Sequence, residues 1–119
     1  MEWRFAGEAP VYQQIIAIIQ GAVLSGEYPP GGRVPPVREL AAMARVNPNT
    51  MQRALSELER QGLLETVGTA GRYVTRDETV LQRLRTQRIA ELARECASRF
   101  AAYGISPREA ASLLAGLEE

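Results

Sequence analysis

Residues 47–61 carry a row of polar side chains suited to hydrogen bonding with the edges of nucleic-acid bases. Asparagine and glutamine amides can bond an adenine edge at two points, arginine can do the same with guanine, and threonine can reach a phosphate or a thymine methyl group. Such side chains recur between the apolar residues of this segment, at Asn49, Thr50, Gln52, Arg53, Ser56, Glu57 and Arg60. The pattern favours recognition of a DNA duplex, although it also occurs in modules that bind proteins.

The side chains on which most enzymes depend are missing. The chain has no histidine, no lysine, a single aspartate (Asp77) and a single cysteine (Cys96). This composition excludes a Ser-His-Asp triad, a Cys-His pair, an ordinary zinc site and a Schiff-base lysine. We therefore expect no enzymatic activity, no metal site and no cofactor.

Length and composition are those of a small globular protein. The chain has 119 residues, of which 45% are hydrophobic, enough for one domain with a short appendage. No apolar run approaches the roughly 18 residues of a membrane helix. The opening sequence MEWRFAGEAP lacks the basic and apolar regions of a signal peptide. Because a single cysteine forms no internal disulfide, we expect a reducing, cytoplasmic setting without a membrane partner.

The net charge is zero, but the charges are unevenly distributed. Residues 28–76 hold seven arginines and four glutamates, a net of +3, whereas residues 77–119 hold six arginines and seven acids, a net of −1. The modest positive excess therefore lies in the part of the chain that contains the polar segment.

Apolar periodicity predicts three helices in the first half of the chain, from about Val11 to Leu24, Val37 to Ala44 and Pro48 to Gln61. Asn47 and Pro48 form a typical helix start, with a capping side chain followed by proline. The break at residues 45–47 makes the connection between the second and third helices short. The core face of the third helix is formed by Met51, Leu55 and Leu58.

Two short strands are predicted next, Leu63–Val67 and Arg72–Thr75, with residues 68–71 as the tip between them. Such a small hairpin is stable only when it packs against helices. A helix, a pair of helices joined by a turn, and a hairpin together form a winged helix-turn-helix, which we assign to residues 1–76. The predicted fold is mainly α with a small β-hairpin.

Residues 77–119 are predicted to form two further helices, one from Glu78 to about Gly104 and one that follows a capping box at Ser106–Glu109. Two helices cannot bury both of their apolar faces alone, so we expect this segment to pair with a second copy of the chain. A monomer, in which the segment folds back on its own winged helix, is the alternative. The predicted interface residues are Leu92, Cys96, Phe100, Leu113, Leu114 and Leu117.

The sequence from Pro10 to Val74 resembles the DNA-binding domain of the GntR family of bacterial transcription regulators. The shared anchors are P-x-Y at Pro10, a glycine pair at Gly26 and Gly31, P-x-V-R-E-L-A at Pro35–Ala41, N-T-x-x-R-A-L at Asn49–Leu55 and L-E-R-x-G-L at Leu58–Leu63. The resemblance implies a sequence-specific, DNA-binding transcriptional regulator. A tail of only two helices resembles the YtrA-like subfamily, and this implies a homodimeric repressor on an inverted-repeat operator.

The resemblance also implies which residues contact DNA. In this family an arginine early in the second helix and the start of the third helix read the duplex, and the hairpin tip lies in the minor groove. The corresponding residues are Arg38, Asn47, Asn49, Thr50, Gln52, Thr69 and Gly71. Two more arginines, Arg33 and Arg53, are added on chemical grounds as phosphate or base contacts.

Some positions depart from the family pattern or allow two interpretations. Pro48 and Ala70 stand where many members have basic residues, so the bases that are read stay open. Trp3 is expected to pack over the first helix or against a second subunit, with a ligand cage as the alternative. Cys96 is expected to be packing rather than a redox sensor. The residues identify no small-molecule effector.

Overall fold

The computed structural model describes residues 1–118 and confirms the predicted elements. The helices are α1 (Val11–Leu24), α2 (Val37–Ala44), α3 (Pro48–Arg60), α4 (Glu78–Ala101) and α5 (Pro107–Gly116), and the strands are β1 (Leu64–Val67) and β2 (Gly71–Val74). Both strands lie within one residue of their predicted bounds. No helix in the described part of the chain is both long enough and apolar enough to cross a membrane.

The core of the first part of the chain is built around α3, which packs against α1, α2 and β1. The predicted stripe of Met51, Leu55 and Leu58 is completely buried. Ile15 and Ile19 of α1 lie in the same core. Because one face of α3 seals this core, its opposite face is fixed towards the outside.

A short turn sets the direction in which α3 leaves α2. Arg45 adopts a left-handed backbone conformation with φ of 58° and ends α2. The Val46 amide then donates to the carbonyl of Ala41 at 3.0 Å. At the start of α3 the side chain of Asn47 accepts a hydrogen bond from the Asn49 amide at 2.7 Å. The predicted cap is therefore formed, and it satisfies one of the amides that the first helical turn leaves without a partner.

The hairpin is extended by a third segment, for which the sequence predicted no pairing with a strand. In the hairpin, β1 and β2 are antiparallel, with Leu64 opposite Val74. The Val74 amide donates to the carbonyl of Gly32, and the Val34 amide donates to the carbonyl of Arg72. The segment from Gly32 to Val34 thus covers the outer edge of β2, and β2 lies between this segment and β1. We call the hairpin of β1 and β2 with its tip, residues 64–74, the wing.

The wing is also joined to α3 by an ion pair. Arg72 of β2 donates to the carboxylate of Glu59 on α3, and the Thr66 hydroxyl donates to the same oxygen at 2.9 Å. Partial burial acts to raise the pKa of Glu59, but the hydrogen bonds from Arg72 and Thr66 outweigh it and hold the pKa below its ordinary value. The carboxylate is therefore charged at neutral pH and attaches the wing to α3.

The chain divides into two compact units, residues 1–82 and the part from Arg83 onward. In the second unit, α5 begins at the predicted capping box. The Glu109 amide donates to the Ser106 hydroxyl at 3.2 Å, and that hydroxyl donates to the Glu109 carboxylate. Ala110, at the start of α5, is buried.

The N-terminal residues return along α1 in the first unit. The terminal ammonium group of Met1 lies 3.0 Å from the Glu27 carboxylate, and the Ala6 amide donates to the side chain of Gln14. Trp3 and Phe5 are half-buried between these two attachment points.

Asn47→Ala removes the acceptor of the α3 cap, and we expect the free energy of unfolding to fall by about 1 kcal/mol. Asn47→Asp keeps an oxygen at the same place and should retain most of the wild-type stability. Urea unfolding followed by circular dichroism measures both variants. An equal loss in the two would contradict the cap.

Glu59→Gln is expected to lower stability near neutral pH, because it removes the charge that pairs with Arg72. A carboxyl whose folded pKa lies below the unfolded value of 4.5 stabilises the fold above that value, and the effect is lost as the pH falls through the folded pKa. The difference from wild type should therefore shrink between about pH 7 and about pH 3 in urea unfolding. Glu8→Gln, at an exposed position, is the control. A difference that is unchanged by pH would contradict the ion pair.

Candidate nucleic-acid interface

The outward face of α3 carries the predicted base-reading side chains. Asn49, Gln52 and Arg53 are exposed, and Thr50 is half-buried. They lie in the first two turns of the helix, so they share the end that carries the positive end of the helix dipole. This end of α3 combines hydrogen-bond donors and acceptors with a favourable position for a phosphate.

Gln52 is held in one orientation by two neighbours. Its amide nitrogen donates to the Ser56 hydroxyl at 3.0 Å, and its carbonyl accepts from the Arg72 guanidinium at 3.3 Å. Each end of the amide keeps one further hydrogen-bonding position, because the nitrogen has a second proton and the oxygen a second lone pair. The side chain can therefore still present a donor and an acceptor to a base edge.

Arg53 lies on the side of α3 that faces α1. Its guanidinium carbon is 3.7 Å from the centroid of the Tyr12 ring, an arrangement in which the cation is attracted by the ring face. Tyr12 has no role at the interface that the sequence predicts, since residues so far apart in sequence show no pattern that would pair them. Tyr12 thus restrains a predicted DNA contact.

Two other charged residues of α3 are engaged with each other. Arg60 donates to the carboxylate of Glu57, one helical turn earlier. This hydrogen bond holds the pKa of Glu57 below its ordinary value and raises that of Arg60. Because Glu57 neutralises its charge, Arg60 adds little net positive charge at the end of α3.

The predicted contact residues outside the exposed face of α3 also lie on the surface of the first unit. Arg38 is exposed in the first turn of α2. Asn47 is exposed as well, and because its side-chain oxygen already accepts the cap bond, its amide nitrogen and the second lone pair of that oxygen are the groups left to reach DNA. The structure thus narrows the chemistry available to Asn47.

The tip of the wing is formed by residues 68–70, and Thr69 is exposed there. Gly71 has φ of +119°, a conformation that side chains rarely allow. The guanidinium of Arg33 lies against this glycine, and its Nε–H donates to the carbonyl of Ala70 at 3.0 Å. The structure therefore brings Arg33 to the wing tip, a position that the sequence alone did not indicate.

The second unit exposes most of the predicted interface. Leu92, Leu113 and Leu117 are 63%, 55% and 80% exposed, and Leu114 is 46% exposed. Cys96 and Phe100 are half-buried and line a pocket of about 460 Å³ on α4. Within residues 1–118, no group of three or more histidine, cysteine or acidic side chains is placed to hold a metal.

Comparison with known proteins identifies the family to which the chain is similar. Residues 11–74 match the model of bacterial regulatory proteins of the gntR family. The chain is 44% identical over 66 residues to the HTH-type transcriptional repressor YtrA of Bacillus subtilis, a match that covers 56% of this chain and 51% of that one. The chain thus spans about half the length of this curated relative.

Two solved structures share this fold, one over almost the whole chain and one over its first part. A GntR family transcriptional regulator from Listeria monocytogenes superimposes with a TM-score of 0.81 at 31% identity, over 94% of this chain and 98% of the other. The DNA-binding domain of AraR, solved in complex with operator ORX1, superimposes with a TM-score of 0.57 at 28% identity, over 60% of this chain and 93% of that one. The chain therefore belongs to the GntR family, as a DNA-binding transcriptional regulator with a winged helix.

Proposed function

We propose that the chain is a transcriptional repressor that binds an inverted-repeat DNA operator as a homodimer. The observation that carries this proposal is the outward face of α3, which is polar, unobstructed within the first unit, and opposite a completely buried core face. In the proposed complex each α3 enters a major groove, and each wing contacts the adjacent minor groove.

The side chains of α3 support major-groove contact in particular. Gln52 is restrained by Ser56 and Arg72, so little conformational freedom is lost when it bonds a base. Asn49 and Thr50 lie one turn closer to the helix start, where a groove-bound helix approaches the bases most closely. In the proposed complex, Arg38, which is exposed in the first turn of α2, contacts the phosphate backbone.

The exposed leucines of the second unit support the homodimer. Leu92 on α4, Leu113 and Leu114 on α5 and Leu117 at the end of α5 are large apolar side chains that this unit leaves exposed, and apolar surface exposed together favours contact with a protein partner. A second copy is the partner favoured here, because a twofold axis would cover the same face on both chains and match the symmetry of an inverted repeat. In the monomer alternative, the segment would instead fold back on its own winged helix and cover these leucines there.

The name of one relative supports repression rather than activation of transcription. YtrA of Bacillus subtilis is described as a repressor, and the match to it covers the winged-helix part of this chain. Repression follows physically when a dimer occupies DNA that the polymerase needs.

Arg38→Ala and Thr50→Ala are each expected to weaken operator binding by about 1–3 kcal/mol, because each removes one contact to DNA without touching the core. Operators are first obtained by selecting bound duplexes from a random library, and affinities are then measured by fluorescence anisotropy at several salt concentrations. Arg108→Ala, an exposed position in the second unit, is the control and should bind like wild type.

The salt dependence separates DNA binding from the alternative of a protein-binding adaptor. Binding through arginine–phosphate contacts weakens steeply with salt, and a variant that loses one such contact has a slope smaller by about one. Affinity that is insensitive to salt, with no preference among duplexes, would indicate an adaptor. Unchanged binding by both variants would remove the site assignment.

Leu113→Asp combined with Leu117→Asp is expected to raise the dimer dissociation constant by about 100-fold or more, because two apolar contacts are replaced by charges. Sedimentation velocity over a concentration series measures the change. Met43→Asp is the matched control, since Met43 is 48% exposed on α2 in the first unit. A wild-type chain that stays monomeric at every concentration would overturn the homodimer.

A further inference from the structure

We propose that Arg33, which lies outside the hairpin, provides the positive charge with which the wing selects an A·T-rich minor groove. The inference rests on the proposed function, because it concerns how the wing of a DNA-bound chain contacts the duplex. It assigns to Arg33 a role in specificity at the wing tip in place of a general contact to phosphate.

The tip of the wing has no charged residue of its own. Residues 68–70 are Gly68, Thr69 and Ala70, and none of them is charged. The two arginines that follow are occupied elsewhere. Arg72 is paired with Glu59 on α3, and the Arg76 guanidinium lies against Gly31, which bonds the far end of β2. The hairpin therefore brings no cation of its own to its tip.

Arg33 fills this place from the neighbouring segment. Its backbone pairs with Tyr73 of β2 in an antiparallel bridge, so its side chain starts beside the wing. From there its Nε–H donates to the Ala70 carbonyl at 3.0 Å. This bond uses one of the five guanidinium protons, and the remaining four belong to the two terminal nitrogens that a groove would meet.

The guanidinium of Arg33 lies close against Gly71. A Cβ atom at Gly71 would lie 2.9 Å from the Nε atom of Arg33, closer than real Cβ contacts. The absence of a side chain at Gly71 thus leaves the space that the guanidinium occupies. The cation is held at the tip before DNA arrives, and less side-chain entropy is lost on binding.

A positioned guanidinium at a wing tip has a preferred target. The minor groove of A·T-rich DNA is narrow and carries an enhanced negative potential, which attracts arginine inserted into it. A guanine in the same groove adds an amino group that repels the cation and widens the groove. We therefore expect the preference to appear in the base pairs that flank each major-groove contact.

The experiment replaces adenine by 2,6-diaminopurine in the flanks of a selected operator. This base keeps the major-groove edge of adenine and adds only the minor-groove amino group of guanine. Wild type should bind the modified duplex about tenfold more weakly than the adenine duplex, within the range of a single base contact. Arg33→Ala should bind both duplexes with affinities that agree within about twofold.

Two further variants separate the charge from its placement. Arg33→Lys keeps the charge but loses the Nε–H bond to Ala70, and it should show a preference between those of wild type and Arg33→Ala. Arg33→Gln keeps a long polar side chain without the charge, and it should lose the preference as Arg33→Ala does. Both variants should retain the contribution of α3, so the diaminopurine ratio is measurable even where total affinity falls.

The outcomes distinguish this inference from the proposed function. Wild type that binds the operator equally well with either flank, or Arg33→Ala that keeps the full preference, would overturn the role of Arg33 and leave operator binding intact. Wild type that selects no duplex at all would overturn the proposed function itself. Arg38→Ala is the matched control, since it should weaken binding to both duplexes by the same factor.

Discussion

The burial of one face of α3 is the constraint on which the rest of this structure depends. Met51, Leu55 and Leu58 lie on this face and are 0% exposed, so rotating the helix would transfer three large apolar side chains into water. The rotation of α3 is thereby fixed, and the polar residues between these three must face outward. The same packing that stabilises the first unit therefore decides which side chains can meet a duplex.

The wing depends on α3 in turn, because a two-stranded hairpin of four-residue strands is not stable in isolation. Leu64 and Val74 are buried at its base, and the Glu59–Arg72 ion pair ties its middle to α3. Arg72 also bonds Gln52. A single arginine thus links the wing to Gln52, for which we propose base recognition, so α3 and the wing keep a fixed separation.

The sequence predicted those features that depend on neighbours along the chain. Apolar periodicity and the Asn47–Pro48 start were sufficient for α3, and two short strand-like segments on either side of residues 68–71 were sufficient for the hairpin. The missed features join residues that are distant in sequence: Tyr12 with Arg53, Glu59 with Arg72, and Arg33 with the wing tip. In each case the folded backbone brings the two groups together, and local sequence propensities cannot predict a contact between residues that are distant in sequence. Arg33 was selected for its chemistry, but its place at the tip required the structure.

The exposed leucines of the second unit matter for DNA binding, because in the proposed complex dimerisation and DNA binding are thermodynamically coupled. In the proposed dimer, the first winged helix to bind holds the second near its half-site, so the second contact forms at a high effective concentration. DNA then favours the dimer by the same factor by which dimerisation favours DNA binding. Under this coupling the apolar surface around Leu113 and Leu117 does not have to hold the two chains together alone, because the operator supplies part of the free energy. In the proposed dimer, operator occupancy therefore depends on the concentration of the protein, because dimerisation and DNA binding are coupled.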